Sequence, residues 1–470
     1  MRVGIVGVGT IGQALARAID RGEVAVQLTA LHSRNLAQAQ AFARTLGRVP
    51  EVVDLAGVIT RCDLVIEAAT QAALTAMAPD ILTAGKDLMV LSVGALLDHP
   101  EWPALAACHG CRLYVPSGAI VGLDGLKGAC VGRVDTVAIT TRKPPQGLAG
   151  APYVEAHGID VYACGPWSQG PLVPMTLNLL EGYDVASMGP GSLAFLHRYT
   201  EAFKLAAADR EGFFGDPDQV DVPIRGLLDK RYADERRRSI RDDRAWPELP
   251  EPGDPWRYEG RSGPLGYRPR VASGVGAPDT SYCCAMDAEG NAFSATPSDP
   301  GLGAPLVEGL GIIVSTRGAQ LWTTPGHPSA IAPRKRPRLT PNPALLMRDG
   351  RALMPFGCPG EDAQCQAMVQ TVCNVVDFGM NLQAAIEAPR VISRSFPWTF
   401  FPHAYEPGVL CVEGRVAREV RDALAARGHV IRDWPDMTPG AAGVCAIREL
   451  EPGTLEGGAD PRRESYAIGW

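Results

Sequence analysis

The sequence predicts an α/β protein built from two unlike parts, and three observations support that division. The chain has 470 residues, which is enough for about three domains of ordinary size. Its first part alternates short β-rich runs with helical patterns, as parallel sheets do, and the remainder lacks this alternation. Residues 245–279 carry 7 Pro and 6 Gly in 35 positions. That density predicts a long mobile loop without helix or sheet inside the second part.

Composition and charge narrow the class of protein. Hydrophobic residues make up 46% of the chain and charged residues 21%, which is typical of a globular protein and excludes a disordered or fibrous one. The net charge of −7 argues against nucleic acid or an anionic membrane as the main partner. The chain has neither a long apolar run nor a signal-peptide pattern, so we expect a cytoplasmic protein with reduced cysteines. The single CxxC at 108–111 has no second pair, so no metal site is predicted.

The chain opens with a nucleotide-binding pattern. A β-rich run at 2–6 leads into GVGTIG at 7–12, and a helical pattern follows. Gly7 permits a tight turn, Gly9 lets the backbone approach a pyrophosphate, and Gly12 allows close helix–strand packing. The helix N-terminus then offers free N–H groups to the phosphates. The sequence therefore predicts an N-terminal Rossmann domain, with a purely structural glycine turn as the alternative.

The end of the second strand bears on the choice of cofactor. NAD sites usually carry an Asp or Glu there, whereas this chain reads His32-Ser33-Arg34. Ser33 and Arg34 could instead hold a 2′-phosphate. We therefore expect NADP rather than NAD, with a merely solvated Arg34 as the alternative.

Four segments of the first part resemble L-aspartate dehydrogenase: VIEAAT at 65–70, AGKDLMVLSVGALLD at 84–98, VPSGAIVGLDGL at 115–126 and TRKPPQGLAGAPYVEAHGID at 141–160. The resemblance implies a Rossmann domain over residues 1–160 and NAD(P)-dependent interconversion of aspartate and iminoaspartate. It stops after Asp160, and the family's active-site histidine within an Asn-x-His pattern has no counterpart. His157 lies in a different context. The resemblance thus supports cofactor binding better than hydride transfer from aspartate.

Helical patterns follow in the second part. Ser192 is a predicted N-cap for a helix whose apolar face holds Leu193, Leu196, Thr200 and Phe203. The charged residues of this helix are predicted to lie on a solvated face: Glu201, Lys204, Asp209 and Arg210. Residues 229–244, with five acids and seven bases, predict an exposed helix with ion pairs.

A hydroxyl residue follows the Pro/Gly-rich segment. Thr280 opens an apolar run in DTSYCCAMDAEGN at 279–291. Cleavage before Thr280 would free an α-amine whose ordinary pKa is about 7.7–8.0. That amine could act as general base for the threonine hydroxyl without a histidine, as in N-terminal nucleophile hydrolases.

Residues 161–470 resemble the γ-glutamyltransferase family, including its acylase-like relatives. The resemblance rests on GPWSQGP at 165–171, ADREGFFGDP at 208–217, TPGHPSAIAPRKRPRLTPNPALLMRDGR at 324–351, FGCPGEDAQ at 356–364, DFGMNLQAAIEAPR at 377–390 and GADPRRESYAIGW at 458–470. It implies a large-subunit helical remnant at 161–244, a processing loop at 245–279 and a catalytic subunit at 280–470. The front of the large subunit has no counterpart, so the implied αββα sandwich is incomplete and self-association of copies is left open.

The resemblance also implies a site. Thr280 would be the self-processing nucleophile, Ser298 the hydroxyl that supports it, and the N–H groups of Gly360 and Glu361 an oxyanion hole. An ordinary strand-to-helix turn is the alternative for Gly360.

Several substrate positions depart from the family pattern. Gln320 replaces an Asp that would hold a substrate ammonium, Leu339-Thr340 replaces a Ser-Ser pair, and Pro300 stands where Asn is common. Arg317 could bind a carboxylate, which would permit a different acyl group.

The sequence thus predicts a threonine amidohydrolase or acyltransferase that processes itself before Thr280, acts on a small γ-glutamyl or other amide, and carries an appended NAD(P)-binding domain. The alternatives are aspartate dehydrogenase activity and a catalytically dead fusion that only binds nucleotide.

Overall fold

The computed structural model describes residues 1–92, 95–115, 148–153, 157–269, 280–298, 306–307, 312–313, 315–451 and 453–469. Pro300 and residues 270–279 lie outside the described residues. The chain divides into two compact units, Met1–Asp135 and Thr136–Trp470, and each is described by itself. No helix in these described ranges is long and apolar enough to span a membrane.

The first unit is a parallel sheet with helices between its strands. Its elements are β1 (Arg2–Val6), α1 (Thr10–Asp20), β2 (Gln27–His32), α2 (Leu36–Ala43), β3 (Glu51–Val52), α3 (Leu55–Arg61), β4 (Leu64–Glu67), α4 (Gln71–Thr83), β5 (Asp87–Val90), α5 (Ala95–Asp98), α6 (Trp102–Cys108) and β6 (Leu113–Tyr114). The strand order is β3-β2-β1-β4-β5-β6, and every neighbouring pair is parallel. This is the strand order of a complete Rossmann sheet, as the sequence predicts.

Local sequence explains where these helices begin. Asn35, Asp54 and Thr70 are the N-caps of α2, α3 and α4, and each side chain accepts a hydrogen bond from the backbone N–H three residues later. β1 and β4 are buried along almost their whole length, as central parallel strands covered on both faces must be.

The second unit is built on a six-stranded antiparallel sheet. Its strands are β7 (Leu148–Tyr153), β8 (Ile159–Cys164), β13 (Ala344–Arg348), β14 (Arg351–Gly357), β18 (Cys445–Glu451) and β19 (Thr454–Ala459), in the order β19-β18-β14-β13-β8-β7. Its helices are α7 (Leu172–Leu180), α8 (Val185–Met188), α9 (Leu193–Phe213), α10 (Ile224–Leu228), α11 (Lys230–Arg237), α12 (Ala363–Val376), α13 (Leu382–Glu387) and α14 (Arg418–Ala426).

Smaller strands complete the second unit. These are β9 (Cys283–Met286) paired with β10 (Ala292–Ala295), β11 (Leu306–Val307) paired with β12 (Ile312–Ile313), and a sheet of β15 (Val391–Ser393), β16 (Val409–Glu413) and β17 (Val430–Trp434). In the described part of this unit, 3₁₀ helices lie at Pro255–Glu259, Thr316–Gln320 and Pro439–Ala441.

The faces of β14 show how these elements are layered. Phe356 is fully buried in the core shared with the helices, whereas the next residue, Gly357, faces the ring of Tyr282, which precedes β9. Because successive residues of a strand point to opposite faces, the helices and the β9–β10 hairpin lie on opposite sides of the sheet. The hairpin thereby begins a second β layer.

The sheet of the second unit begins earlier in the chain than the predicted boundary at residue 160. β7 pairs with β8 in antiparallel register from Leu148 with Cys164 to Tyr153 with Ile159. Residues 148–153 and 159–160 therefore lie in strands of the second unit, and the division between the units falls after Asp135.

The predicted solvated face of α9 is wrong. Its cap is as predicted, because Ser192 accepts a hydrogen bond from the N–H of Phe195. Its charged side chains, however, are at most 2% exposed: Glu201, Lys204, Asp209 and Arg210. The helix packs against α7 and α14 and is covered by the segment that follows residue 244, so its charges are buried in pairs. Helix α11 is shorter than the predicted exposed helix at 229–244, and it buries Tyr232.

The prediction of a loop without helix is also wrong for the described part of 245–279. Trp256 lies in a 3₁₀ helix and is 2% exposed, and its indole N–H donates to Pro264 O. The backbone of Trp246 donates to Glu201 and accepts from Lys204, at 2.8 and 2.9 Å. Proline and glycine limit regular structure in the described part of this segment to one short 3₁₀ helix, and side-chain packing and buried ion pairs fix the rest.

Candidate active site and nucleotide site

The β9–β10 hairpin brings the two predicted hydroxyl residues together. Its register pairs Cys283 with Ala295, and three residues further along each arm this register places Thr280 opposite Ser298. Thr280 Oγ1 lies 2.7 Å from Ser298 Oγ, and the backbone N–H of Ser281 donates to Pro297 O. The turn closes because the Asp287 carboxylate accepts from the backbone and side chain of Asn291.

Arg317 extends this pair into a network. Its 3₁₀ helix is capped by Ser315, whose hydroxyl accepts from the Arg317 backbone N–H. The guanidinium donates to Ser298 Oγ and, at 3.3 Å, to Thr340 Oγ1. It is 7% exposed and lies over the ring of Phe400. The Arg317 guanidinium is therefore a buried cation in contact with Ser298, and Ser298 in turn contacts Thr280.

The two remaining predicted substrate positions meet at Thr340. The fully buried Gln320 side chain donates to Thr340 Oγ1 at 3.2 Å, and the Gln320 Oε1 atom has no hydrogen-bond partner. Thr340 itself is fully buried. Neither residue supplies a negative charge, so within this network Arg317 is the charged member.

The loop between β14 and α12, residues 358–362, carries the predicted oxyanion hole, and we call it the oxyanion loop after that prediction. Gly360 has φ +134°, and a Cβ there would lie 2.6 Å from Ala442 Cβ, so no side chain fits. Glu361 also has a left-handed backbone, with φ +51°, which is uncommon for a non-glycine residue. Its carboxyl group is buried and accepts from the indole N–H of Trp398, and burial raises its pKa.

Sequence reasoning missed Gln169, which connects the two halves of this site. Its side-chain amide donates to Thr340 O at 2.7 Å and to Glu361 O at 2.9 Å. A hydrogen-bonded path thus runs from Thr280 through Ser298, Arg317 and Thr340 to the oxyanion loop. The only sequence signal was its place in the GPWSQGP segment.

A buried ionic cluster, which we call the Glu211 cluster, supports the loop from α9. Glu211 pairs with Arg210 at 2.7 Å and with Arg338 at 2.9 Å, and its other oxygen lies 3.4 Å from His327 Nε2. Arg210 also binds Asp362, which accepts from the backbone and hydroxyl of Thr399 at 2.7 and 2.6 Å. Burial opposes ionisation of Glu211, but the two arginines lower its pKa. Because Asp362 follows Glu361 directly, this cluster anchors the oxyanion loop.

The first unit places its three glycines as a dinucleotide site requires. A Cβ on Gly7 would lie 2.3 Å from Ala68 O, and one on Gly12 would lie 1.9 Å from Gly7 O. A Cβ on Gly9 would meet nothing within 4 Å. Gly9 caps α1 without any side-chain bond, so the helix N-terminus faces open space that a pyrophosphate could occupy.

The predicted ribose-reading residues lie just after β2. Ser33 Oγ accepts from the backbone N–H of Asn35 at 3.3 Å, and Arg34 is exposed. Sequence reasoning missed Glu67 at the end of β4. This fully buried carboxylate accepts from the N–H groups of Ala69, Leu91 and Ser92 and from the Ser92 hydroxyl, at 2.7–3.1 Å. Glu67 therefore holds the loops after β4 and β5 together at the carboxyl edge of the sheet.

The described residues contain no group of three or more His, Cys, Asp or Glu side chains placed to hold a metal ion. Within the CxxC, Cys108 is exposed and Cys111 is buried.

The second unit, with its hydroxyl pair and oxyanion loop, has the features of an N-terminal nucleophile hydrolase. Comparison with known proteins agrees. The family model for gamma-glutamyltranspeptidase matches residues 150–470, and the chain belongs to this family. The model for the homoserine dehydrogenase NAD-binding domain matches residues 7–116. The predicted pairing of a Rossmann domain with a γ-glutamyltransferase-like part is thereby confirmed.

Individual relatives show the same two segments. The chain is 36% identical to the Acylase ACY 1 proenzyme of Pseudomonas sp. strain SE83, over 64% of this chain and 48% of that protein. It is 32% identical to the Glutathione hydrolase-like YwrD proenzyme of Bacillus subtilis, over 67% of this chain and 54% of that protein. It is 44% identical to L-aspartate dehydrogenase of Methanocella arvoryzae, over 34% of this chain and 60% of that protein.

Solved structures resemble the second segment. LmbA2991HD matches with a TM-score of 0.59 and 34% identity, over 67% of this chain and 55% of that one. Cephalosporin acylase from Bacillus halodurans matches with a TM-score of 0.53 and 26% identity, over 69% and 53%. The chain therefore spans about half the length of its acylase and hydrolase relatives.

Proposed function

We propose that the chain is a threonine amidohydrolase or acyltransferase that cleaves itself before Thr280, and that its first unit binds NADP. The observation that carries the hydrolase proposal is the Thr280–Ser298 contact of 2.7 Å beside the buried guanidinium of Arg317. A hydroxyl held by a second hydroxyl next to a cation is oriented and polarised for attack on a carbonyl carbon.

The chemistry follows from the free amino terminus that cleavage creates. The α-amine of Thr280 takes the proton of its own hydroxyl, and Oγ1 adds to the carbonyl carbon of an amide substrate. The N–H groups of Gly360 and Glu361 stabilise the resulting oxyanion. The substrate C–N bond then breaks and the protonated amine leaves. Water or an amine attacks the threonyl ester and releases the acyl group.

Arg317 guides the choice of acyl donor. Its guanidinium is buried beside the nucleophile, and a planar guanidinium pairs well with a carboxylate. Gln320 and Thr340 add hydrogen-bonding groups without charge. We therefore propose a small amide whose acyl group ends in a carboxylate, such as a γ-glutamyl compound or a related dicarboxylic monoamide.

Hydrolysis of a chromogenic anilide tests this function. The purified chain should release 4-nitroaniline from γ-glutamyl- or glutaryl-4-nitroanilide, and Thr280→Ala should abolish the release. Thr280→Ser, which keeps a hydroxyl, should retain part of it. Full activity of Thr280→Ala would overturn the proposal, because no other described group occupies the position of the nucleophile.

The open space at Gly9 favours nucleotide binding as the function of the first unit. The cofactor supplies hydride chemistry when it is bound; the glycine loop would hold its pyrophosphate, and Ser33 with Arg34 its 2′-phosphate. Fluorescence titration with NADPH and NADH tests this, since Arg34→Ala should weaken NADPH binding and leave NADH binding unchanged. Aspartate-dependent reduction of NADP by the same protein would favour the alternative, an aspartate dehydrogenase.

A further inference from the structure

The side chain of Glu361 is a buried acid without a counter-ion. It is 7% exposed, its Oε2 accepts from the Trp398 indole N–H, and its Oε1 has no hydrogen-bond partner. Its backbone adopts a left-handed conformation at the centre of the oxyanion loop. The proposed oxyanion hole uses only the backbone N–H of Glu361, so the Glu361 side chain has no part in it.

The charges that face this carboxyl group do not neutralise it. No Lys, Arg or His of the described residues forms an ion pair with it. Arg394 and Arg463 act only from longer range, and Arg394 is itself paired with Glu406 at 2.6 Å. Asp362, the next residue, carries a like charge that opposes ionisation. Between β8 and α7, the neutral amide of Gln169 contacts Glu361 only at its backbone carbonyl and brings no charge to the side chain.

We propose that Glu361 is a positioning residue whose carboxyl group must be protonated for the oxyanion loop to keep its geometry. This inference rests on the proposed hydrolase function. The requirement for a protonated carboxyl group follows from three observations: the side chain is buried, one of its oxygens has no hydrogen-bond partner, and it has no counter-ion. An ionised carboxylate in these surroundings is strongly disfavoured. Burial correspondingly raises the pKa of this group above its ordinary value.

Ionisation would act on catalysis through the backbone. A charged Glu361 can lower its energy by turning its side chain toward water, and this movement releases the left-handed φ that the packed loop imposes. The N–H groups of Gly360 and Glu361 would then turn away from the oxyanion. Activity should consequently fall as pH rises through the pKa of Glu361. The Thr280 α-amine has the opposite effect: because it must be unprotonated to act as base, activity rises with pH through the pKa of this amine.

The pH profile of kcat for γ-glutamyl-4-nitroanilide tests the proposal with Glu361→Gln. Glutamine has the shape of the protonated acid and no charge, so the variant should lose the alkaline decline, which in the unaltered chain approaches tenfold per pH unit. Glu361→Gly, which suits the left-handed backbone, should likewise lack the decline and serves if the glutamine variant does not fold. Glu419→Gln, on the exposed start of α14, is the matched control and should leave the profile unchanged.

An alkaline limb that persists in both variants would overturn the proposal. So would a uniform loss of activity at every pH in both, since a merely structural side chain behaves in that way. The KM of the substrate should not change, because the carboxyl group is assigned to the loop and not to substrate binding.

Stability of the Thr280→Ala chain provides a readout that needs no catalysis. A carboxyl group whose pKa is raised by folding contributes stability at low pH, and that contribution is lost as pH rises from the unfolded pKa through the folded pKa. The thermal midpoint of Thr280→Ala should therefore drop more between pH 4.5 and pH 8 than that of Thr280→Ala with Glu361→Gln. Superimposable pH curves would contradict the inference even if the hydrolase is active. Divergent curves would support its first step, that the folded chain holds Glu361 protonated, even if the anilide is not a substrate.

Discussion

Arg317→Gln should lower kcat/KM much more for an acyl donor that ends in a carboxylate than for a similar one that lacks it. The arginine is 7% exposed and shares its donors between Ser298 and Thr340, so a substrate carboxylate would meet a desolvated, oriented guanidinium. A hydrogen bond to a charged group contributes about 1.5–3 kcal/mol. Because about 1.4 kcal/mol corresponds to a factor of ten, losing this interaction should lower kcat/KM roughly 10- to 150-fold for an acyl donor that ends in a carboxylate.

The assay compares glutaryl-4-nitroanilide with butyryl-4-nitroanilide, which lacks the carboxylate. Both substrates lose what the Arg317 cation contributes to polarising the Thr280–Ser298 pair, but butyryl-4-nitroanilide should lose at least about tenfold less kcat/KM, because it has no carboxylate for the guanidinium to bind. Arg348→Gln, at an exposed position at the end of β13, is the matched control. Equal losses for both substrates would mean that Arg317 acts on the nucleophile and not on the acyl group. No loss for either would refute the reasoning.

Three further changes test other parts of the account. Ser298→Ala removes the 2.7 Å contact with Thr280 and should slow both self-cleavage and hydrolysis by about 10- to 100-fold, which a time course on denaturing gels and the anilide assay would show. Glu211→Gln removes the ion-pair partner of the buried Arg338 and one of the two partners of Arg210, which keeps Asp362, so urea unfolding should report a loss on the order of 3–5 kcal/mol; a change under about 1 kcal/mol would contradict the assigned anchoring. Gly9→Ala adds a methyl group that meets no protein atom, so the thermal midpoint should stay unchanged while NADPH affinity falls, and unaltered affinity would exclude this loop as the phosphate site.

Local sequence patterns predict the parts of the fold that depend on neighbours along the chain. The GVGTIG spacing predicts the first strand, turn and helix of the first unit, because glycine is needed where the backbone leaves no room for a Cβ. The structure shows such close approaches at Gly7 and Gly12. The Thr280–Ser298 pair is equally local. Two short strands around an Asp287–Asn291 turn place the two hydroxyls opposite each other.

Patterns along the chain do not show which polar residues become buried by distant segments. The charges of α9 look like a solvated helix face, but α7, α14 and the segment after residue 244 enclose them. Asp362 meets Arg210 across 152 positions, and Gln169 meets Glu361 across 192. Partners this far apart in sequence are brought together by tertiary packing, and no sequence periodicity predicts these contacts.

Under the proposed function, the chain makes its own nucleophile by cleavage before Thr280, and the intact mass of the purified protein, measured beside that of Thr280→Ala, tests this. Self-cleavage should give two fragments, residues 1–279 and 280–470, with threonine as the first residue of the smaller one, whereas the variant should remain a single uncut chain. A single uncut chain from the unaltered protein, or cleavage that persists in Thr280→Ala, would contradict it.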